Sequence, residues 1–146
     1  MSDTNRVILR EEYPTPEEYL RLRRQVGWGI PDPAAVAPSL QNSLFCLCAR
    51  SQGGIVGMAR IIGDGGLAYY IQDVIVDPSR QGEGIGKQLM DRIMEYIRRH
   101  AVQHTIVGLM AAKDKEPFYE RYGFTPRPNE KLGAGMTIFW DEGNLS

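Results

Sequence analysis

The residues best suited to chemistry cluster in Val74-Ile75-Val76-Asp77-Pro78-Ser79-Arg80-Gln81-Gly82-Glu83-Gly84-Ile85-Gly86-Lys87. An apolar strand runs into a glycine-rich turn, and the turn opens a helix. Gly82, Gly84 and Gly86 let the backbone curl with its N–H groups facing inward. The positive end of the following helix adds to their pull, so the segment predicts a site for a phosphate or pyrophosphate. Two common phosphate loops do not fit. A Walker A loop requires a glycine where Gln81 stands and a Ser or Thr where Gln88 stands. A dinucleotide fingerprint begun at Gly82 or Gly84 requires a third glycine where Lys87 or Leu89 stands. Just upstream, Asp73 is the only carboxylate in residues 66–76. A carboxylate in so apolar a strand needs a partner or a task. Alternation puts Tyr69, Ile71 and Asp73 on one face of that strand and Tyr70, Gln72 and Val74 on the other, unless a bulge intervenes. Tyr119, beside Phe118 and Tyr122, reads on residue pattern alone as a core aromatic of a short helix.

The elements that must position these groups are legible in outline. Thr15-Pro16-Glu17-Glu18 predicts a helix start with a capping box, continued by Tyr19, Leu20, Arg23 and Val26. Asp32-Pro33 caps a second, short helix running through Ala37. Residues 44–50, 55–62 and 67–76 read as strands joined by tight turns at Gly53-Gly54 and Asp64-Gly65-Gly66, which implies antiparallel pairing. Ile85, Leu89, Ile93 and Ile97 then recur every four residues and mark one face of an amphipathic helix ending near His100. Residues 105–110 predict a strand and 116–122 a short helix; further strands are expected from Phe124 and over 136–140. This order predicts an α+β domain with a mixed, mostly antiparallel sheet, helices on its flanks and at least one parallel crossover, in a single domain over residues 1–146.

In this context Gln81-Gly82-Glu83-Gly84-Ile85-Gly86 resembles the Q/R-x-x-G-x-G/A loop of the GNAT acyl-CoA-dependent N-acetyltransferases. About thirty residues later, Pro117-Phe118-Tyr119-Glu120-Arg121-Tyr122-Gly123-Phe124 resembles the family's F-Y-x-x-x-G-F block. The resemblance covers residues 44–127, and two spaced motifs in the right order are far more specific than one glycine loop. It implies the GNAT fold and transfer of an acetyl group from acetyl-CoA to an amine. It implies that Gln81, Gly82, Glu83, Gly84, Ile85, Gly86 and Lys87 hold the coenzyme's pyrophosphate, and that main-chain groups of Val74, Ile75 and Val76 hold its pantetheine arm. The Val74 amide would stabilise the oxyanion, and the Tyr119 hydroxyl would protonate the leaving thiolate. Relatives carry a Glu or His base at positions matching Tyr70 or Gln72, so a water chain ending on Asp73 or Tyr70 is the expected base. Trp28, Tyr69, Tyr70 and Gln72, with Trp140, are the expected acceptor-side residues. The acceptor would be a small-molecule amine or a peptide; other acyl donors and a non-catalytic acyl-CoA sensor are the competing readings. Dimers are common in the family, which makes a homodimer one expectation.

Composition narrows the field further. At 146 residues the chain can bury a substantial core without staples. A net charge of -1 weighs against a nucleic-acid partner. No apolar run approaches the roughly 20 residues of a membrane span, and the first residues lack the pattern of a secretory signal. Cys46 and Cys48 fall on one face of a strand and read as buried thiols of a reducing, cytoplasmic setting, with no further ligand nearby to make a metal site.

Overall fold

A computed structural model of the chain describes residues 6–141. It contains β1 (Ile8–Glu11), α1 (Pro16–Gln25), α2 (Pro33–Gln41), β2 (Phe45–Ser51), β3 (Gly54–Gly63), β4 (Ala68–Val76), α3 (Ile85–His100), β5 (Ile106–Leu109) and α4 (Glu116–Glu120). The five strands form one sheet in sequence order. Neighbours are antiparallel from β1 to β4, and β5 joins β4 in parallel after the α3 crossover. The predicted α+β class and the parallel crossover are therefore present. By compactness the chain divides into one unit ending at Leu109 and a second starting at Met110.

In the first unit the helix starts follow local rules. The Thr15 hydroxyl accepts from the Glu18 N–H at 3.1 Å, and the Glu18 carboxylate accepts from the Thr15 N–H at 2.9 Å. The Asp32 carboxylate accepts from the Ala34 N–H at 3.0 Å. Helix α2 continues past Ala37 to Gln41, with Pro38 inside it, so it is longer than its sequence suggests.

One face of the sheet, carrying Cys46, Cys48, Ile55, Met58 and Ile75, packs with Tyr19 and Leu22 of α1 and Val36 and Leu40 of α2. The other face meets α3, whose Ile85, Leu89, Met90, Ile93 and Ile97 are buried. Gly57 permits this close approach. A Cβ there would lie 2.9 Å from the Ile75 carbonyl oxygen and 3.3 Å from Ile85 Cγ2.

The second unit departs from expectation. No strand forms among residues 124–141. Met136, Phe139 and Trp140 are 89%, 90% and 74% exposed. Strand-prone side chains do not make a strand without a ladder partner. Local bonds shape this segment instead: the Asn129 carboxamide oxygen accepts from the N–H groups of Lys131 and Leu132 at 3.0 and 2.9 Å.

Candidate active site

The turn after β4 is built by short-range contacts. The Asp77 carboxylate accepts from the Ser79 N–H at 2.9 Å and from its hydroxyl at 2.8 Å, closing a single 3-10 turn at Pro78–Arg80. The chain then passes through Gly82 (φ +85°) and Gly84 (φ +84°), both left-handed. Nothing lies within 4 Å of a Cβ added at either position, so glycine is needed there for conformation rather than space. Gly84 is the N-cap of α3 and, as a glycine, brings no side-chain cap to it. Helices α1 and α2, by contrast, cap themselves with Thr15 and Asp32. The first turn of α3 also holds no acidic residue. Its leading N–H groups and dipole thus suit an anion. Two side chains of the loop have partners of their own. Glu83 pairs with Arg80 at 2.9 Å and Lys87 with Asp91 at 2.9 Å.

Upstream of that turn, β4 has an open edge. Strand β5 pairs with it only from Ala68 to Ile71, whereas β4 continues to Val76. Along residues 72–76 no described strand occupies that side, including Val74, Ile75 and Val76. Extended main chain with an unpaired edge can bond a linear, amide-bearing ligand as an added strand would.

Within the same stretch β4 is bulged. Met58 opposes Ile75 and Arg60 opposes Gln72, so Asp73 and Val74 together face Ala59. Asp73 has φ +57°. The bulge overturns the expected alternation by bringing Asp73 to the face that carries Arg60. Its carboxylate is fully buried. One oxygen accepts from Arg60 Nε and Tyr19 Oη, both at 2.8 Å; the other accepts from Arg23 Nη1 at 3.3 Å and Gln72 Nε2 at 3.5 Å. A carboxylate enclosed by four donors offers no open lone pair to an amine or a water relay. The base role anticipated for Asp73 therefore gives way to a structural one. Burial and the Asp73 charge both push the Tyr19 hydroxyl above its ordinary value.

The expected acceptor-side residues separate. Trp28 packs against the α1/α2 core, with the Arg23 guanidinium 5.5 Å from its ring centre. Tyr70 and Gln72 are half-buried and alternate with Tyr69 and Ile71 along β4. Tyr69 is buried on the α3 side, edge-on to Tyr96 at 6.5 Å, and its hydroxyl has no hydrogen-bond partner among the described residues. It therefore lies on the sheet face opposite Gln72, which pairs with Arg60. Tyr19, Arg23 and Arg60 are the members of the Asp73 cluster that motif reading passes over. Arg60 carried a signal, being the only charged residue in the apolar run Ile55-Val56-Gly57-Met58-Ala59-Arg60-Ile61-Ile62.

In the second unit Tyr119 lies in α4, edge-on to Phe118 at 5.0 Å and to Phe124 at 6.4 Å. Burial raises its hydroxyl above the ordinary phenol range. The group therefore stays protonated at neutral pH, as a proton donor must. Among the described residues no three His, Cys, Asp or Glu side chains converge on a metal site, and no helix is long and apolar enough to cross a membrane.

Comparison with known proteins bears on the same elements. A family model described as an acetyltransferase (GNAT) domain matches residues 29–139. A solved structure, a probable acetyltransferase from meticillin-resistant Staphylococcus aureus, superposes with a TM-score of 0.85 at 34% identity, covering 92% of this chain and 99% of that one. A chloroplastic serotonin N-acetyltransferase from Oryza sativa subsp. japonica is 32% identical over 137 residues, 90% of this chain and 60% of that protein. A histone acetyltransferase from Glycine max is 28% identical over 127 residues, 80% of this chain and 52% of that protein. The chain thus spans about half the length of the Glycine max protein.

Proposed function

The chain belongs to the GNAT acetyltransferase family, and from that premise we propose that it moves an acetyl group from acetyl-CoA to the primary amine of a small molecule or peptide, by direct attack in a ternary complex. The observation that carries this reading is the uncapped start of α3 behind the left-handed Gly82 and Gly84, beside the open edge of β4. Bound acetyl-CoA supplies a thioester already activated for acyl transfer. The N–H groups of residues 81–87 hold its pyrophosphate through the helix dipole rather than through side-chain charge. Main-chain groups of Val74, Ile75 and Val76 hold the amide-bearing arm along the open edge.

Three demands fall on the protein. The attacking nitrogen must be neutral, since an ammonium has no lone pair; with Asp73 enclosed, its proton leaves through water, for which Tyr70 is the β4 side chain suited to act as relay. The oxyanion needs a preorganised donor, a role assigned to the Val74 N–H. The departing thiolate needs a proton, which Tyr119 supplies. Trp28, Tyr70 and Gln72 border the acceptor, and the names of the Oryza sativa and Glycine max relatives support offering both arylalkylamines and lysine peptides.

The test is free-thiol release from acetyl-CoA across a panel of amines, comparing the wild type with Tyr119→Phe. Turnover with one amine class, reduced about a hundredfold or more in kcat by the variant, is the expected result. Tight acetyl-CoA binding without turnover on any amine or peptide would favour an acyl-CoA sensor. Faster release from a longer acyl-CoA would reassign the donor.

A further inference from the structure

Asp73 sits where glycine would be the simpler choice. Its φ of +57° is left-handed, a conformation unfavourable to residues with a Cβ, though aspartate tolerates it better than most. A glycine would adopt the bulge freely, yet this position carries a side chain whose carboxylate is fully buried and bonded by four donors. Those donors come from three elements. Arg60 belongs to β3 and also donates to the Ser39 carbonyl at 3.3 Å and the Ser43 hydroxyl at 3.2 Å, at the end of α2. Tyr19 and Arg23 belong to α1. Arg23 Nε further donates to the Gly29 carbonyl at 2.8 Å, and its guanidinium lies over the Tyr19 and Trp28 rings. One carboxylate therefore ties the bulge of β4 to α1, to the Trp28 segment and to the end of α2.

A bulge re-aims the peptide groups next to it, and the residue after Asp73 is Val74. We infer that Asp73 is a positioning residue for acyl transfer: its carboxylate holds the bulge in the orientation that presents the Val74 N–H, and locks that orientation to helix α1, whose Arg23 in turn holds the Trp28 segment. The inference rests on the acetyltransferase reading given above. The Asp73 carboxylate is fully buried and bonded, which leaves it no surface to offer a reactant. Transferring no proton, it should set the height of the rate without setting its pH dependence. The charged and titratable groups facing it are Arg60 of β3, Arg23 and Tyr19 of α1 and the buried Cys46 of β2.

The test compares Asp73→Gly, which keeps the left-handed backbone but removes the tether, with Asp73→Asn, which keeps local hydrogen bonding, and Tyr19→Phe, which clips one donor. Expected is a tenfold or greater fall in kcat for Asp73→Gly with the acetyl-CoA KM within threefold, partial rescue by Asp73→Asn, and a pH–rate profile of unchanged shape in both. Amide exchange should quicken in residues 19–25 and 72–76 and not in α3. Wild-type kcat in Asp73→Gly would overturn the inference, because backbone conformation alone would then suffice. Loss of the ascending pH limb in Asp73→Asn would overturn it in favour of a base. If the wild type acetylates nothing, the acetyltransferase reading fails separately; the exchange pattern still decides whether Asp73 couples α1 to the bulge, and unaltered protection in α1 would refute that coupling.

Discussion

The two bends that flank the end of β4 are made by opposite means. At Gly82 and Gly84 the chain turns left-handed because nothing resists it, and open space surrounds both α-carbons. At Asp73 it turns left-handed against a steric penalty and is held there by Arg60, Tyr19, Arg23 and Gln72. The first bend belongs to a loop whose useful groups are backbone amides. The second belongs to a bulge fastened by buried side chains from other elements. A loop made from intrinsic freedom can be altered locally. A bulge made from a network fails together with the network, and the following predictions exploit that difference.

The largest effect should follow Arg60→Met. It leaves Asp73 buried with Arg23 and Tyr19 but without its 2.8 Å guanidinium partner. Removing one member of a buried ion pair costs about 3–5 kcal/mol of stability. Denaturant unfolding should register this loss, and the double variant Arg60→Met/Asp73→Asn should recover part of it. A loss under about 1 kcal/mol would mean that the bulge holds itself, as the glycine loop does.

A second effect separates buried from exposed chemistry through pH. Burial pushes the thiols of Cys46 and Cys48, on the α1/α2 side of β2, up to about 12 from an ordinary 9.0. Both are free cysteines. The folded state thus holds their protons more tightly than the unfolded chain. Their contribution is whole below pH 9 and is lost as pH rises toward 12. By pH 10 the loss should reach roughly 1 kcal/mol per thiol, measured as a fall in the urea midpoint. A Cys46→Ala/Cys48→Ala variant should start less stable but show a flatter pH slope.

The two bends also differ in how far they could be read in advance. The glycine loop, the capping box at Thr15 and Glu18 and the amphipathic face of α3 depend on residues within a few positions of one another. Asp73 stood out as an isolated carboxylate, but its surroundings did not. Counting forward from the hairpin, strict alternation sends Asp73 to the α3 face and away from Arg60. One unpaired residue in the register returns it, and its partner Tyr19 lies 54 positions away in sequence. Strand β1 carries little local signal, because its four residues, Ile-Leu-Arg-Glu, are ordered chiefly by pairing with β2. The strands anticipated after Phe124 failed for the converse reason. Their residue types favour extended chain, but no ladder partner is present among the described residues.

Gly84→Ala tests the loop on its own terms. The added methyl meets nothing within 4 Å, so only the left-handed conformation opposes it. That opposition is worth about 1–2 kcal/mol for an L-residue. The acetyl-CoA KM should rise several-fold to tenfold with kcat largely retained, the reverse of the pattern expected for Asp73→Gly. If both variants moved kcat alone, the two bends would not divide binding from chemistry in this way.

The smallest effect should come from Lys87→Met. Lysine at a helix start is the obvious side-chain partner for a phosphate, yet Lys87 is 65% exposed and ion-paired with Asp91 one turn on. An exposed charge of this kind is worth about 0–1 kcal/mol and is screened by salt. If backbone amides and the α3 dipole carry anion binding, the acetyl-CoA KM should rise less than about fivefold, and the difference from wild type should shrink further at high salt. A rise of tenfold or more that disappears with salt would shift the loop's function from its backbone to this one side chain. The loop would then resemble the Asp73 bulge in depending on a charged side chain, and the contrast between them would rest on burial alone.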